Sequence, residues 1–385
     1  MSEQTARTIA FNKPLLGKAE ADAVADVLES GTLRGDGPVT QQVETQMEDW
    51  LDIDHVFLTT SCTHALEMAM MVIDVGPGDE VIMPSFNFVS SANAVVLRGA
   101  TPVFADIRPD TLNIDVDDVA DKITPRTKAI VPVHYAGVSC DMEALSALAD
   151  DHDLYLIEDA AQGVDAYYDG TPLGTIGDIG CYSFHETKNI TCGEGGAFLT
   201  DDEDLARKAE LVREKGTNRS AFIRGEVDRY TWVHEGSSYI PSDILAAILQ
   251  VQLSKREHIK KQRRTVWNAY YDALRPLAQD GPLHLPPIPD ACDSNYHIFF
   301  FRVDTSQRRN ALLDVLKDHG IDASFHYIPL HSSPFAQQYL DESVTLPTTQ
   351  QCSETLIRLP LHPQLADDAD ELAARTADLI ATQLR

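Results

Sequence analysis

From its start to about residue 210 the chain alternates short apolar runs with stretches of helical period, a pattern that few folds tolerate. "HVFLTT", "DEVIMPS", "TPVFADI", "KAIVPVHY", "DLYLIEDAA" and "IGCYSFH" read as strands. "THALEMAMMVIDV", "SSANAVVLRG" and "MEALSALADDH", lying among them, read as helices. Such alternation specifies an α/β fold with a mostly parallel sheet covered on both faces. Ligands of these sheets sit beyond the carboxyl ends of the strands, in the loops that follow. Here those loops are "TTSCTHA", "PSFNFVS", "HYAG", "EDAAQG" and "SFHETKN". Each carries polar, hydroxyl or carboxylate groups at a strand exit, so the loops are where chemistry is expected.

From about residue 240 the pattern changes to a long helical stretch, "SDILAAILQVQLSKREHIKKQRRTVWNAYYDALRPL". The strand "YHIFFFRVD", the helix "RRNALLDVLKDHG" and a final helix "DDADELAARTADLIATQL" follow. The expected division is a large domain over 1–245 and a smaller C-terminal α/β domain over 246–385, joined through the long helix. A chain of 385 residues buries a core without help from metals or disulfides. Its six cysteines are scattered without a CxxC pair and, with no signal peptide at the N-terminus, read as reduced thiols of the cytoplasm. No apolar run approaches a membrane span. The net charge of -29, from 60 acidic against 31 basic side chains, argues against nucleic acid as a partner. His134, His185, His326 and His331 sit near the loops, but their spacing gives no metal-ligand pattern.

Three loops carry specific chemistry. "TSCTHALEM" places small hydroxyl residues at a strand-to-helix turn. That arrangement serves either as a plain N-cap by Ser61 or Thr63, or as a phosphate cradle of free N–H groups at a helix N-terminus. "LYLIEDAAQG" ends a very apolar strand with Glu158 and Asp159, and a carboxylate buried there needs a cation or strong donors. A protonated pyridine nitrogen is one such cation; a structural salt bridge is the alternative. Adjacent strand residues point to opposite faces, so only one of the two faces a ligand. In "CYSFHETKNITCGEGGAFLT", Lys188 stands between an apolar run and a glycine-rich turn. Beside a phosphate cradle and a ring-binding carboxylate, such an amine can form a Schiff base with pyridoxal phosphate and then shuttle a proton. Phe88 is a candidate to stack on the ring, Ser183 to add a phosphate hydrogen bond and Gln162 to reach the ring's phenolic oxygen. "GEGG" has the look of a phosphate nest, yet no Walker lysine follows it.

With "EDAAQG" followed by "SFHETKNITCGEGG", the chain resembles the pyridoxal-phosphate aminotransferases that act on nucleotide-linked keto-deoxy sugars, within the aspartate-aminotransferase fold group. The resemblance runs nearly end to end, from "FNKPLLG" through "SGTLRGDGPVT" and "VPVHYAGV" to "FHYIPLH". It implies Lys188 for the Schiff base, Asp159 for the pyridinium, Gln162 for the ring oxygen and Phe88 for stacking. Cys62, Thr63 and Ser183 are implied at the phosphate. "VIMPSFNFVSSANAVVLRGA", "REKGTNRSAFIRGEVDRYTW" and "GSSY" resemble the branch that aminates C4 of a dTDP-linked 4-keto-6-deoxyglucose with L-glutamate. UDP-linked or 3-keto sugars and a non-catalytic binding protein are the alternatives, while the presence of Lys188 speaks against the related dehydratases. Members of the family are homodimers with shared sites, and where many place an asparagine that reaches the neighbouring cofactor this chain has Ser238.

Overall fold

A computed structural model describes residues 8–279, 281–338 and 344–384. The central sheet has seven strands: β1 (His55–Thr59), β2 (Glu80–Pro84), β3 (Thr101–Ala105), β4 (Thr127–Ile130), β5 (Tyr155–Asp159), β6 (Ile179–Ser183) and β7 (Gly196–Thr200). Their order is β1-β7-β6-β5-β4-β2-β3. The run from β3 through β2, β4 and β5 to β6 is parallel, as the alternating pattern requires.

The departure is β7, which the loop-like "GEGGAFLT" conceals. It pairs antiparallel with both β6 and β1. The link 184–195 holds no crossover helix, and consecutive strands joined without a crossover pair antiparallel. Gly196 opens this strand where its backbone presses against the start of the next helix. A Cβ there would stand 2.4 Å from the Cys62 nitrogen, so the second glycine of "GG" is set by close approach.

The helix Cys62–Val72 is buried nearly all round, through Ala65, Leu66, Met68, Ala69, Met70 and Val72, and so reads as apolar rather than amphipathic. It packs on Val81, Met83, Ile157, Ile179 and Phe198 of the sheet. On the opposite face Leu58, Tyr182 and Leu199 meet Val43 and Met47 of helix Pro38–Leu51 and Leu249 and Leu253 of helix Asp243–Ser254. The expected long helix is in fact two, Asp243–Ser254 and Arg256–Gln279, separated at Lys255.

The C-terminal part is built on β8 (Phe299–Arg302) and β9 (Leu356–Leu359), which pair antiparallel. Phe299 and Phe301 enter a core with Trp267, Tyr270, Leu312 and Ile380. Phe300 points the other way, onto Tyr135 at 5.6 Å, and so leans the small sheet on the strand exits of the large one. Residues opposite each other in a strand pair share a face. Phe300 is opposite Arg358, which therefore also faces the large sheet.

Candidate active site

The loops leaving β1, β2, β5 and β6, together with β9 and the segments that hold Ile298 and Tyr327, enclose a cavity of about 490 Å³. Lys188, Asp159, Gln162, Phe88, Cys62, Thr63 and Ser183 all line it, although they come from four separate loops. Ser238 does not. It is exposed, in a bridge with Glu214.

At the start of helix Cys62–Val72, Ser61 is the N-cap and its Oγ accepts from the His64 N–H at 3.1 Å. The cap and the cradle are compatible, because the Cys62 and Thr63 N–H groups keep no partner among the described residues. Such free amides at a helix N-terminus attract an anion. The Thr63 hydroxyl is engaged elsewhere, with Ser90 Oγ at 2.7 Å. Among the described residues Ser183 Oγ makes only a long contact, 3.5 Å, with the His185 N–H.

The two carboxylates of β5 part as strand geometry demands. Glu158 is fully buried on the far side of the strand. Its Oε2 accepts from His134 Nε2 at 2.8 Å and the Gly174 N–H at 2.7 Å; its Oε1 accepts from the Ile176 and Gly177 N–H groups at 2.6 and 2.8 Å. Burial alone would raise its pKa, but His134 and the backbone donors outweigh it and hold the carboxyl below its ordinary value. Burial opposes a charged His134, while Cys140 and Glu158 push its pKa up to about 10. The Cys140 N–H nevertheless donates to Nδ1 at 3.2 Å, which leaves no room there for a proton, and we assign His134 as a neutral donor to Glu158.

Asp159 lines the cavity and is 5% exposed. Its Oδ2 accepts from Ser91 Oγ at 2.7 Å and its Oδ1 from the Ala161 N–H at 3.2 Å, and Asn87 Nδ2 donates in turn to Ser91 at 2.8 Å. No cation pairs with it among the described residues. Asn87 and Ser91 were not foreseen; their four-residue spacing across a helix start was the available signal.

Lys188 sits in the β6–β7 link, its backbone N–H donating to the His185 carbonyl at 2.9 Å. Its ammonium has no hydrogen-bond or ion-pair partner among the described residues. Burial is the main reason its pKa falls below that of an ordinary lysine, with a further push from Arg358 against the pull of Asp159. Gln162 accepts from the Ala136 N–H at 2.8 Å and donates to Tyr327 Oη at 3.1 Å, which leaves its second amide hydrogen without a partner among the described residues. Phe88 caps the next helix at the cavity mouth and is 60% exposed. Tyr327, Arg263 and Arg358 are among the residues of the C-terminal part that line the cavity, and sequence reasoning missed all three.

Residues 14–375 match the DegT/DnrJ/EryC1/StrS aminotransferase family. The chain belongs to that family. Among solved relatives, the aminotransferase TlmJ of Streptoalloteichus hindustanus is 34% identical over 98% of this chain and all of its own, with a TM-score of 0.90. S. venezuelae DesV is 31% identical over 98% of this chain and 99% of its own, at 0.89. Helicobacter pylori PseC, an aminotransferase of pseudoaminic acid biosynthesis, is 27% identical over the same shares, also at 0.89.

As a DegT-family enzyme the protein is a pyridoxal-phosphate-dependent sugar aminotransferase with the aminotransferase fold, and its cavity fits that cofactor. A buried carboxylate held only by neutral donors suits a protonated ring nitrogen. Free amides at a helix N-terminus suit a phosphate, and an unpaired amine suits an aldehyde. Asp159→Asn tests the first of these matches. The neutral amide no longer favours a protonated ring, so activity should fall on the order of 100-fold while thermal stability changes little. Activity within a few-fold of wild type would show that Asp159 does not face the ring.

Proposed function

We propose that this enzyme moves the amino group of L-glutamate to C4 of dTDP-4-dehydro-6-deoxy-D-glucose, giving dTDP-4-amino-4,6-dideoxy-D-galactose and 2-oxoglutarate. The unpartnered Lys188 amine, sharing one cavity with Asp159 and the Ser61-capped helix, carries the reaction type. The choice of sugar rests on "VIMPSFNFVSSANAVVLRGA", "CYSFHETKN" and "REKGTNRSAFIRGEVDRYTW", which resemble the dTDP-4-amino-4,6-dideoxygalactose transaminases.

In this reading the cofactor supplies an electron sink that takes up and returns the amino group. Cys62, Thr63 and Ser183 hold its phosphate, Asp159 its ring nitrogen, Gln162 its ring oxygen and Phe88 a ring face. Lys188 Nζ, whose pKa burial lowers, takes the α-proton of the amino donor and later returns a proton at C4 of the sugar. The segment around helix Arg219–Ile223 exposes Phe222, Ile223, Tyr230 and Trp232, the last by 78%, which supports a homodimer covering it. Ser238 follows that segment and lies outside its own cavity, as a residue that reaches a neighbour's cofactor would.

Steady-state kinetics with L-glutamate and a panel of nucleotide ketosugars test the proposal. The expected pattern is ping-pong, since one site handles the two substrates in turn. The dTDP-linked 4-keto sugar should win in direct competition. A strong preference for a UDP-linked or 3-keto sugar would move the enzyme to another branch of the family.

A further inference from the structure

Residues 294–298, just before β8, have no regular structure, yet they are pinned from several directions. Asn295 Nδ2 donates to the Gln162 and Val164 carbonyls, both at 2.8 Å, and Asn295 Oδ1 accepts from the His297 N–H at 3.0 Å. Asn189 Nδ2 donates to the Asn295 carbonyl at 2.9 Å. Arg263 donates to the Tyr296 and His297 carbonyls at 3.0 and 2.6 Å. Between these anchors Tyr296 takes a φ of 55°, in the left-handed region that a bulky aromatic residue avoids. Such a conformation persists only where its surroundings over-determine it, and it invites a functional question. What this turn delivers is His297, buried and set in the wall of the cavity that holds Lys188.

The surrounding hydrogen bonds assign the tautomer of this imidazole. Because Asn189 Nδ2 points to the Asn295 carbonyl, its Oδ1 is the atom that meets His297 Nδ1, at 2.9 Å. An acceptor there requires the ring hydrogen on Nδ1, so Nε2 keeps a lone pair. No donor among the described residues reaches Nε2. Unlike the hydroxyls of Tyr135 and Tyr270 it is not shut off from solvent, and it opens onto the cavity. Burial, and then the cations Lys188, Arg263 and Arg358, hold the His297 pKa well below its ordinary value, so the ring stays neutral. The result is a rigid, neutral acceptor. Its holder, Asn189, is the residue next to Lys188 in the chain.

Two kinds of donor share this cavity with it during the reaction: the hydroxyls of the sugar and the amine of Lys188. Recognition of a hydroxyl suits the mouth, where Phe88 stands exposed, whereas His297 is 8% exposed. The Lys188 amine also lacks a hydrogen-bond partner among the described residues, and of the charges around His297 that of Lys188 weighs most. Resting on the reaction proposed above, we infer that His297, held by Asn189 as the Nδ1–H tautomer, accepts a hydrogen bond at Nε2 from the Lys188 amine once the amino donor has displaced that amine from the cofactor. No bond joins the two in this structure, and rotation of the flexible lysine stem makes it. A neutral amine has two hydrogens and one lone pair, so pinning one hydrogen on Nε2 aims the lone pair at the carbon that gives up its proton. After proton uptake the same bond steadies the ammonium until it returns a proton to the sugar. A protonated imidazole would repel that ammonium, and the buried Arg263 beside it opposes such protonation. No proton passes to the ring. His297, and Asn189 through it, are positioning residues.

One test is spectroscopic and needs no turnover. In the pyridoxamine-phosphate form the amine is free. NMR of nitrogen-labelled histidine, with His297→Phe or His297→Gln to assign the ring, should show Nδ1 protonated and Nε2 bare near neutral pH. Lys188→Met, similar in length but without a donor, should move the Nε2 resonance and leave Nδ1 in place. A proton on Nε2, or an Nε2 resonance indifferent to Lys188→Met, would overturn the assignment. The other test mixes the pyridoxal-phosphate holoenzyme rapidly with L-glutamate, protonated or deuterated at the α-carbon, and follows the cofactor's absorbance. His297→Phe should slow both half-reactions roughly tenfold, the scale of one hydrogen bond, at unchanged apparent affinity for glutamate and with an isotope effect at least as large as in wild type. His297→Gln, which keeps an acceptor, should recover part of the rate. A loss confined to the sugar direction would make Nε2 the partner of a sugar hydroxyl, and a smaller isotope effect would place the loss in another step; either sinks the idea. Should the enzyme aminate no sugar while Nε2 still answers to Lys188→Met, the proposed reaction fails and the pair stands. Should transamination proceed and His297→Phe match wild type, the pair fails and the reaction stands.

Discussion

Lys188→Ala should stay folded and still take up pyridoxal phosphate, while turnover falls on the order of 10⁴-fold or more. In the proposed reaction binding would keep other anchors, at the start of helix Cys62–Val72 and at Asp159, whereas Lys188 supplies the one amine lining the cavity among the described residues. Borohydride treatment of the wild-type holoenzyme followed by peptide mapping should place the cofactor label on Lys188. Label on Lys215, which is paired with Glu214 at 3.0 Å, or on any other lysine would remove Lys188 from the mechanism.

Glu158→Gln should be the most destabilising single change on β5, although it keeps size and shape. The carboxylate is acceptor-only and takes four donors, two at each oxygen. An amide offers one oxygen and turns its NH₂ toward two donors, leaving buried groups unmatched at roughly 1–3 kcal/mol each. The expected loss is therefore about 3 kcal/mol or more, read as a lower midpoint in a urea titration monitored by fluorescence. Activity per folded molecule should hold up better than in Asp159→Asn. If the midpoint is unchanged, the four-donor arrangement contributes nothing to stability.

The parallel core of the sheet, the strand exits and seven of the residues that line the cavity were legible because their signals are local. A very apolar run ending in two acids, or a hydroxyl-rich turn before a helix, needs no distant partner to be noticed. What stayed hidden depends on contacts across the fold. β7 was masked because Gly195 and Gly196 read as a turn, while Gly196 is there to let the strand pass against Ser61 and Cys62. β9 spans four residues directly after a helix, too short for a period-2 pattern to stand out, and Arg358 was hidden with it. Tyr327 and His297 matter through what they touch, Gln162 and Asn189, over a hundred residues away in each case. The family resemblance suggested an active site at the strand exits, but the bond that sets the His297 tautomer is visible only once the fold brings Asn189 to it.

The consecutive acids of β5 also bear on how the chain avoids misfolding. Side chains on a strand have period two, so a one-residue slip of β5 against β4 or β6 would exchange the faces of Glu158 and Asp159. The slipped strand would set the shorter Asp159 before the His134 and Gly174–Gly177 donors and send Glu158 toward Ser91, where each carboxylate misreaches its donors. A uniformly apolar strand buried on both faces has little else to distinguish one register from the next. The dipeptide therefore works as a vernier mark: competing alignments of the central strand are penalised by mismatched hydrogen bonds before any ligand arrives, and the funnel toward the native pairing is steeper for it.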